Sequence, residues 1–182
     1  MKKIMIAMLA LLIMLPAYSF AQKGYAIDKG VIVIDGMASY VSAGGDLYGD
    51  DRVSVIALNP SLGYFIMPHL AMGVNFGFQK TSHGDDSDTK FAVGPSVAYF
   101  MGDANSTVYP FVAGTFLYSS DDDHHKQTDI KLKGGAAFMI AKNVAITGGA
   151  FYMIQSRTPE GADDSVSGNV FGVEFGVGIF VY

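Results

Sequence analysis

The side chains best suited to chemistry are acidic and gathered in runs: Asp85, Asp86 and Asp88, then Asp121, Asp122 and Asp123, then Asp163 and Asp164. Oxygen-rich loops of this kind can hold calcium when their spacing closes a coordination shell around the ion. No EF-hand spacing and no Gly-rich calcium repeat is present, and charge runs ordinarily stay solvated, so no metal site is expected. His124 and His125 are adjacent and stand beside Asp123 and Lys126, while His69 and His83 fall in separate connections, which leaves no convergent set for a transition metal. Acyl-transfer chemistry needs a Ser, a His and an acid in line. No Gly-x-Ser-x-Gly elbow occurs, so no catalytic residue and no cofactor site is assigned, and the chain is not expected to be an enzyme.

A different constellation is sparse and apolar in its surroundings. Asp35, Asn59, Asn75, Gln79, Lys131, Lys133 and Glu174 are polar residues set into segments that are otherwise small or hydrophobic. What these groups do depends on the elements that carry them.

Those elements alternate. From Leu70 to Gln79, Leu70, Met72, Val74, Phe76 and Phe78 interleave with Ala71, Gly73, Asn75, Gly77 and Gln79. Successive side chains of a strand point to opposite faces, so one face is oily and the other small and polar. Phe91 to Phe100 divides in the same way, and so does Phe171 to Tyr182, where Glu174 falls on the small face. Weaker versions cover about residues 31–41, 53–66, 108–119, 130–140 and 144–155, giving about eight strands, most of them long enough for a tilted crossing of about 9 to 11 residues. Short connections at 67–69, 102–106 and 141–143 alternate with long ones rich in Asp, Ser and Gly at 42–51, 82–88, 120–127 and 156–168. Short turns on one side and longer loops on the other are the pattern of a membrane barrel, with the acidic loops facing outside.

Composition agrees. Half the chain is hydrophobic, mean hydropathy is +0.30, and 22 glycines accompany 13 Phe and 10 Tyr. An apolar chain without a helical span enters a bilayer only as a closed barrel that pairs all its backbone groups. A soluble sandwich or lipocalin-like barrel would have to pack nearly all the large apolar residues inside and leave Gly and Ala as its outer face. The expected architecture is therefore all-β, a single eight-stranded antiparallel up-and-down barrel. Tyr64, Tyr99 and Phe138 are placed in an aromatic girdle at one end, and Phe78, Phe91, Tyr118 and Tyr152 in one at the other.

The N-terminus has the three parts of a secretory signal: Lys2 and Lys3, the apolar run from Ile4 to Leu15, and Ser19 and Ala21 as small residues. Cleavage after Ala21 is expected, dividing the chain into a signal peptide, 1–21, and a barrel, 22–182. Without the two signal lysines, ten basic residues face 17 acidic ones, a net charge near −7 that argues against a nucleic-acid partner. The chain has no cysteine and needs no disulfide.

The Pro60-Ser61-Leu62-Gly63-Tyr64-Phe65 and Pro95-Ser96-Val97-Ala98-Tyr99-Phe100 strand ends belong to a pattern that runs the length of 22–182. With the Tyr109-Pro110-Phe111-Val112 strand start, the Lys142-Asn143-Val144-Ala145 turn and the closing Phe171 to Tyr182, it resembles the outer membrane β-barrel domain, or porin family, proteins. The resemblance implies export by the Sec pathway to the outer membrane of a Gram-negative envelope. Lipids and, during biogenesis, the barrel assembly machinery would be the partners; it supplies no ligand or adhesion partner. In such proteins the last strand carries an assembly signal resembling polar-x-Gly-x-x-apolar-x-apolar. Glu174, Gly176, Ile179 and Val181 match it, with Tyr182 one residue beyond, so that Phe180 and Tyr182 offer a second register. A lipid-modifying acylhydrolase and a narrow pore are the rival functions.

Eight strands enclose an interior that side chains can fill, so a wide solute channel is disfavoured despite the family name. The lumen is expected to be plugged by a polar network in which Glu174 pairs with Lys131, Lys133 or both across the lumen, with Asp35 as a competing partner.

Overall fold

The computed structural model describes residues 25–43, 53–83, 86–120, 126–158 and 166–181. The signal peptide, the acidic positions 121–123 and 163–164, Asp85, His124, His125 and Tyr182 lie outside these. Eight strands follow one another in chain order: β1 Ile32–Ala43, β2 Val53–Met67, β3 Leu70–His83, β4 Asp86–Phe100, β5 Val108–Ser120, β6 Lys126–Ala141, β7 Val144–Thr158 and β8 Val166–Val181. Each pairs antiparallel with its neighbour, and β8 returns to β1 to close the barrel.

The alternation assigns the faces as expected. Met72, Val74, Phe76 and Phe78 on β3, and Phe91, Val93, Val97 and Tyr99 on β4, are exposed on the outer surface. Their sequence neighbours Ala71, Ala92 and Phe100 are buried within. All seven girdle aromatics are exposed. Ile179 departs from its outward neighbours by being buried, between its register partners Ile34 and Val144.

The strands outrun the hydrophobic pattern at the ends opposite the tight turns. β3 and β4 pair as far as His83 with Asp86, which leaves 84–85 between them where a long loop over 82–88 was expected, and places Asp86 and Asp88 on β4. The other long connections shrink to 44–52, 121–125 and 159–165, whereas 101–107 is longer than its expected span. Ladder hydrogen bonds hold a strand together whatever its side chains, so Ser, Thr and Asp can extend a strand after the apolar alternation has stopped. In the 101–107 connection the Asp103 carboxylate accepts from the Asn105 amide at 2.9 Å and from the Ser106 hydroxyl at 3.2 Å.

Pairing is uneven at several places: β2–β3 lapses at Asn59 and Pro60 and shifts register between Phe65 and Met67, and β6–β7 shifts between Met139 and Ala141. Between β4 and β5 the ladder lapses at Gly94 and Pro95, where proline has no N–H to donate and the strands crowd. A Cβ on Gly94 would stand 1.8 Å from the Phe116 carbonyl oxygen. Between β1 and β8 pairing runs from Ile32 with Val181 only as far as Ala38 with Phe175. Beyond that point Ser39–Ala43 pairs with β2 alone and Val166–Glu174 with β7 alone.

Candidate functional site: the lumen

Three layers fill the interior. The lowest, at the end of the tight turns, is apolar. Phe65 lies near the end of β2, Phe100 closes β4, Phe111 lies near the start of β5 and Phe180 near the end of β8, so every one of them reaches inward at the same end of the barrel. Phe100 sits with its ring centroid 5.5 Å from Phe65, 5.4 Å from Phe111 and 6.3 Å from Phe180, separations at which aromatic pairs attract. Tyr25–Val31 folds beneath this cluster and buries Ala26, Ile27 and Val31 in it. The segment is fastened by Gly30 N donating to Phe65 O at 2.9 Å and His69 N donating to Ile27 O at 2.8 Å. His69 holds a left-handed backbone, φ 73°, and its Nδ1 donates to Phe100 O at 3.1 Å, so this histidine ties a turn.

Above the aromatic layer lies the charged one. Lys131 Nζ meets Glu174 Oε2 at 2.5 Å, and Lys133 Nζ lies 3.1 Å from Glu174 Oε1, a charge contact outside hydrogen-bond geometry. The expected pairing across the lumen takes a shorter route. β6 and β8 flank β7, so the contact passes over the inner face of one strand, where Gly149, opposite Glu174, offers no side chain to obstruct it. Lys131 also stands 4.2 Å above the centre of the Phe151 ring, and Lys133 lies 5.3 Å from that of Phe111 and 3.3 Å from Met37 Sδ. Ring faces carry negative potential, so these contacts shield the ammonium groups where water is scarce.

Asp35, expected to compete for the lysines, instead accepts from the Thr147 hydroxyl at 3.4 Å. Its place on β1 brings it to β7 over the inner face of β8, and it shares a cavity with Lys133 of β6. A cavity of about 60 Å³ separates the charged layer from the aromatic one and is lined by Asp35, Asn75, Ser96, Thr115, Lys133 and Thr147 among others. With those polar partners it has room for water.

In the third layer Asn59 and Gln79 were expected, whereas Lys90, Gln127 and Asp129 were not. Lys90 on β4 donates to Gln127 Oε1 on β6, and Gln127 Nε2 donates to Asp129 Oδ1 at 2.7 Å. Asn59 and Gln79 face the same space, a cavity of about 420 Å³ in the outer half of the lumen. Lys90 and Asp129 lie where the apolar alternation fades into polar sequence, so periodicity gave no reason to place them inside. Phe65, Phe100, Phe111 and Phe180 did carry a signal, as large residues on the face that otherwise holds small ones.

This stack holds charge in register above a layer of packed aromatic rings. Planar-bilayer recordings of the purified protein are expected to show no large, stable unitary currents. Regular steps of that kind would mean the two lower layers open. Among the described residues no group of three or more His, Cys, Asp or Glu is placed to hold a metal ion.

Two solved structures share the architecture. Neisserial surface protein A is 19% identical, with a TM-score of 0.56 and a match covering 84% of this chain and 97% of that one. The N-terminal β-barrel domain of Pseudomonas aeruginosa OprF is 12% identical, with a TM-score of 0.53 and a match covering 84% and 98%. No protein-family model matches the chain, and no curated protein does. At these identities the likeness establishes the fold, that of the small outer-membrane barrels.

Proposed function

We propose that this chain is an integral outer-membrane protein whose plugged barrel serves a structural or surface-interaction role, with acidic loops toward the outside. The observation that carries the reading is the outer wall. Leu62, Met72, Val97, Val112, Leu132, Ile146 and Phe175, one from each of seven strands, are large apolar residues exposed on the outside of a closed barrel. A continuous apolar surface of that kind around a polar and charged interior is at rest in acyl chains and not in water. Outer-membrane lipids are its first partners, and the absence of any aligned nucleophile, base and acid in the sequence favours a role without catalysis.

Fractionation with heat-modifiable gel mobility tests this. The protein should sediment with the outer membrane and migrate as a compact species in detergent until boiled. A periplasmic species of unchanged mobility would exclude the proposal.

The last strand is the proposed address for the barrel assembly machinery, through Glu174, Gly176, Ile179 and Val181, or through Phe180 and Tyr182. Glu174 and Phe180 are buried in the barrel, so they have a packing role as well. Deleting 180–182 should block insertion in cells more severely than it slows unaided refolding into lipid vesicles. Equal losses in the two settings would reduce the last strand to packing alone.

A further inference from the structure

The outer cavity has two unlike walls. On β3, β4 and β6 it presents Gln79, Lys90, Gln127, Asp129 and Lys131, with Leu117 of β5 between them. On β2, β7 and β8, the strands at or beside the closing seam, it is lined by Val55, Ala57, Phe151, Met153 and Val170, with Asn59 and Gln155 as the polar members. In a barrel of eight strands β4 stands opposite the β1–β8 seam, so polarity falls along a line from Lys90 to the seam.

The seam lacks ladder pairs over its outer part. No ladder pair joins Ser39–Ala43 to Val166–Glu174, and Ser39 and Val170, one from each of these stretches, both line the cavity. The gap reaches the depth of the apolar wall. Phe171, Val173 and Phe175 flank it on the outside and are exposed at 74%, 58% and 67%, and Phe171 is level with the girdle residue Tyr152. Unpaired strand edges at that depth are costly against bare hydrocarbon, and a closed barrel has no need of them. A cavity of about 420 Å³ falls within the roughly 300–1,000 Å³ of small-molecule sites.

From these features we infer that the outer lumen binds a single-chain amphiphile with a carboxylate head, a long-chain fatty acid in class. The head accepts from the Lys90 ammonium and the neighbouring Gln amides. The chain lies along Phe151, Met153 and Val170 and leaves through the seam between β1 and β8 into the outer leaflet. This inference rests on the membrane reading of the wall.

The chain has no tryptophan, so Met153→Trp puts a single fluorophore on the apolar side of the cavity. Phe76→Trp, on the outer face, is the control. Both full-length proteins are refolded into phosphatidylcholine vesicles, and heat-modifiable mobility verifies the barrel before each measurement. Dibrominated stearate should quench Met153→Trp saturably and several-fold beyond dibrominated phosphatidylcholine at equal bromine density, while Phe76→Trp responds to both alike. Adding Lys90→Gln should raise the half-saturating concentration roughly tenfold, the effect of losing one charge-assisted hydrogen bond. Ala57→Phe, which fills the cavity, should abolish saturation.

Equal quenching of Met153→Trp by the two bromolipids overturns the site, and so does quenching by aqueous iodide alone, which would mark a hydrated vestibule. Either outcome with an intact heat-modifiable barrel leaves the membrane reading standing. Loss of the barrel's heat-modifiable mobility in the unsubstituted protein would remove both.

Discussion

Glu174→Ala is expected to destabilise the folded barrel by about 3–5 kcal/mol, because it strands two ammonium groups in the lumen with no carboxylate between them. Glu174 is 1% exposed and receives both Lys131 and Lys133, so its removal takes the one carboxylate that both lysines contact. The measurement is the urea midpoint of the compact band in vesicles, compared with the unsubstituted protein. A paired experiment separates stranded charge from lost packing. The triple variant Lys131→Met, Lys133→Met, Glu174→Gln removes the ions together and keeps their approximate volume, and it should recover most of the loss or exceed the original stability by about 1–4 kcal/mol. A triple variant as unstable as Glu174→Ala would mean the lysines contribute through their stems and the Phe151 and Phe111 contacts, with the ion pair incidental.

Phe180→Ala should cost about 3–5 kcal/mol by the same readout, the range for removing a buried aromatic side chain. Phe180 is 1% exposed and packs against Phe65, at 6.5 Å between ring centroids, and Phe100. Tyr25–Val31 lies beneath, so a void there has little chance to collapse without loosening the cap. Phe180→Leu fills more of the space and should cost distinctly less. Equal penalties for the two would show that the ring's position in the last strand matters through something other than the core it fills.

The two predictions draw on layers that the sequence revealed unequally. Asp35, Lys131, Lys133 and Glu174 were legible as inward residues, since each interrupts an apolar or small run at a position whose face the alternation had fixed. The meeting of Glu174 with Lys131 and Lys133 was expected as well, whereas the partner that Asp35 takes was not legible. Asp35 went to Thr147 because β1 and β7 flank β8, while both lysines went to Glu174 because β6 and β8 flank β7. Phe100 and Phe180 could be seen to face inward, yet their meeting with Phe65 and Phe111 depends on all four lying at one end of a closed wall. The cap formed by Tyr25–Val31 gave no periodic signal, because turns bury residues without alternation.

The amino-acid order by itself determined the class of the fold, the number of strands and the direction each large side chain takes, because a strand's period of two is a local property that ten residues suffice to display. The closed tertiary structure alone decided which inward groups share a layer, where the lumen is filled and where it is hollow, and that the β1–β8 seam stops pairing at Ala38 and Phe175. Those outcomes follow from the angular order and vertical register of all eight strands around one axis, and no single segment encodes a relation that exists only once the last strand has met the first.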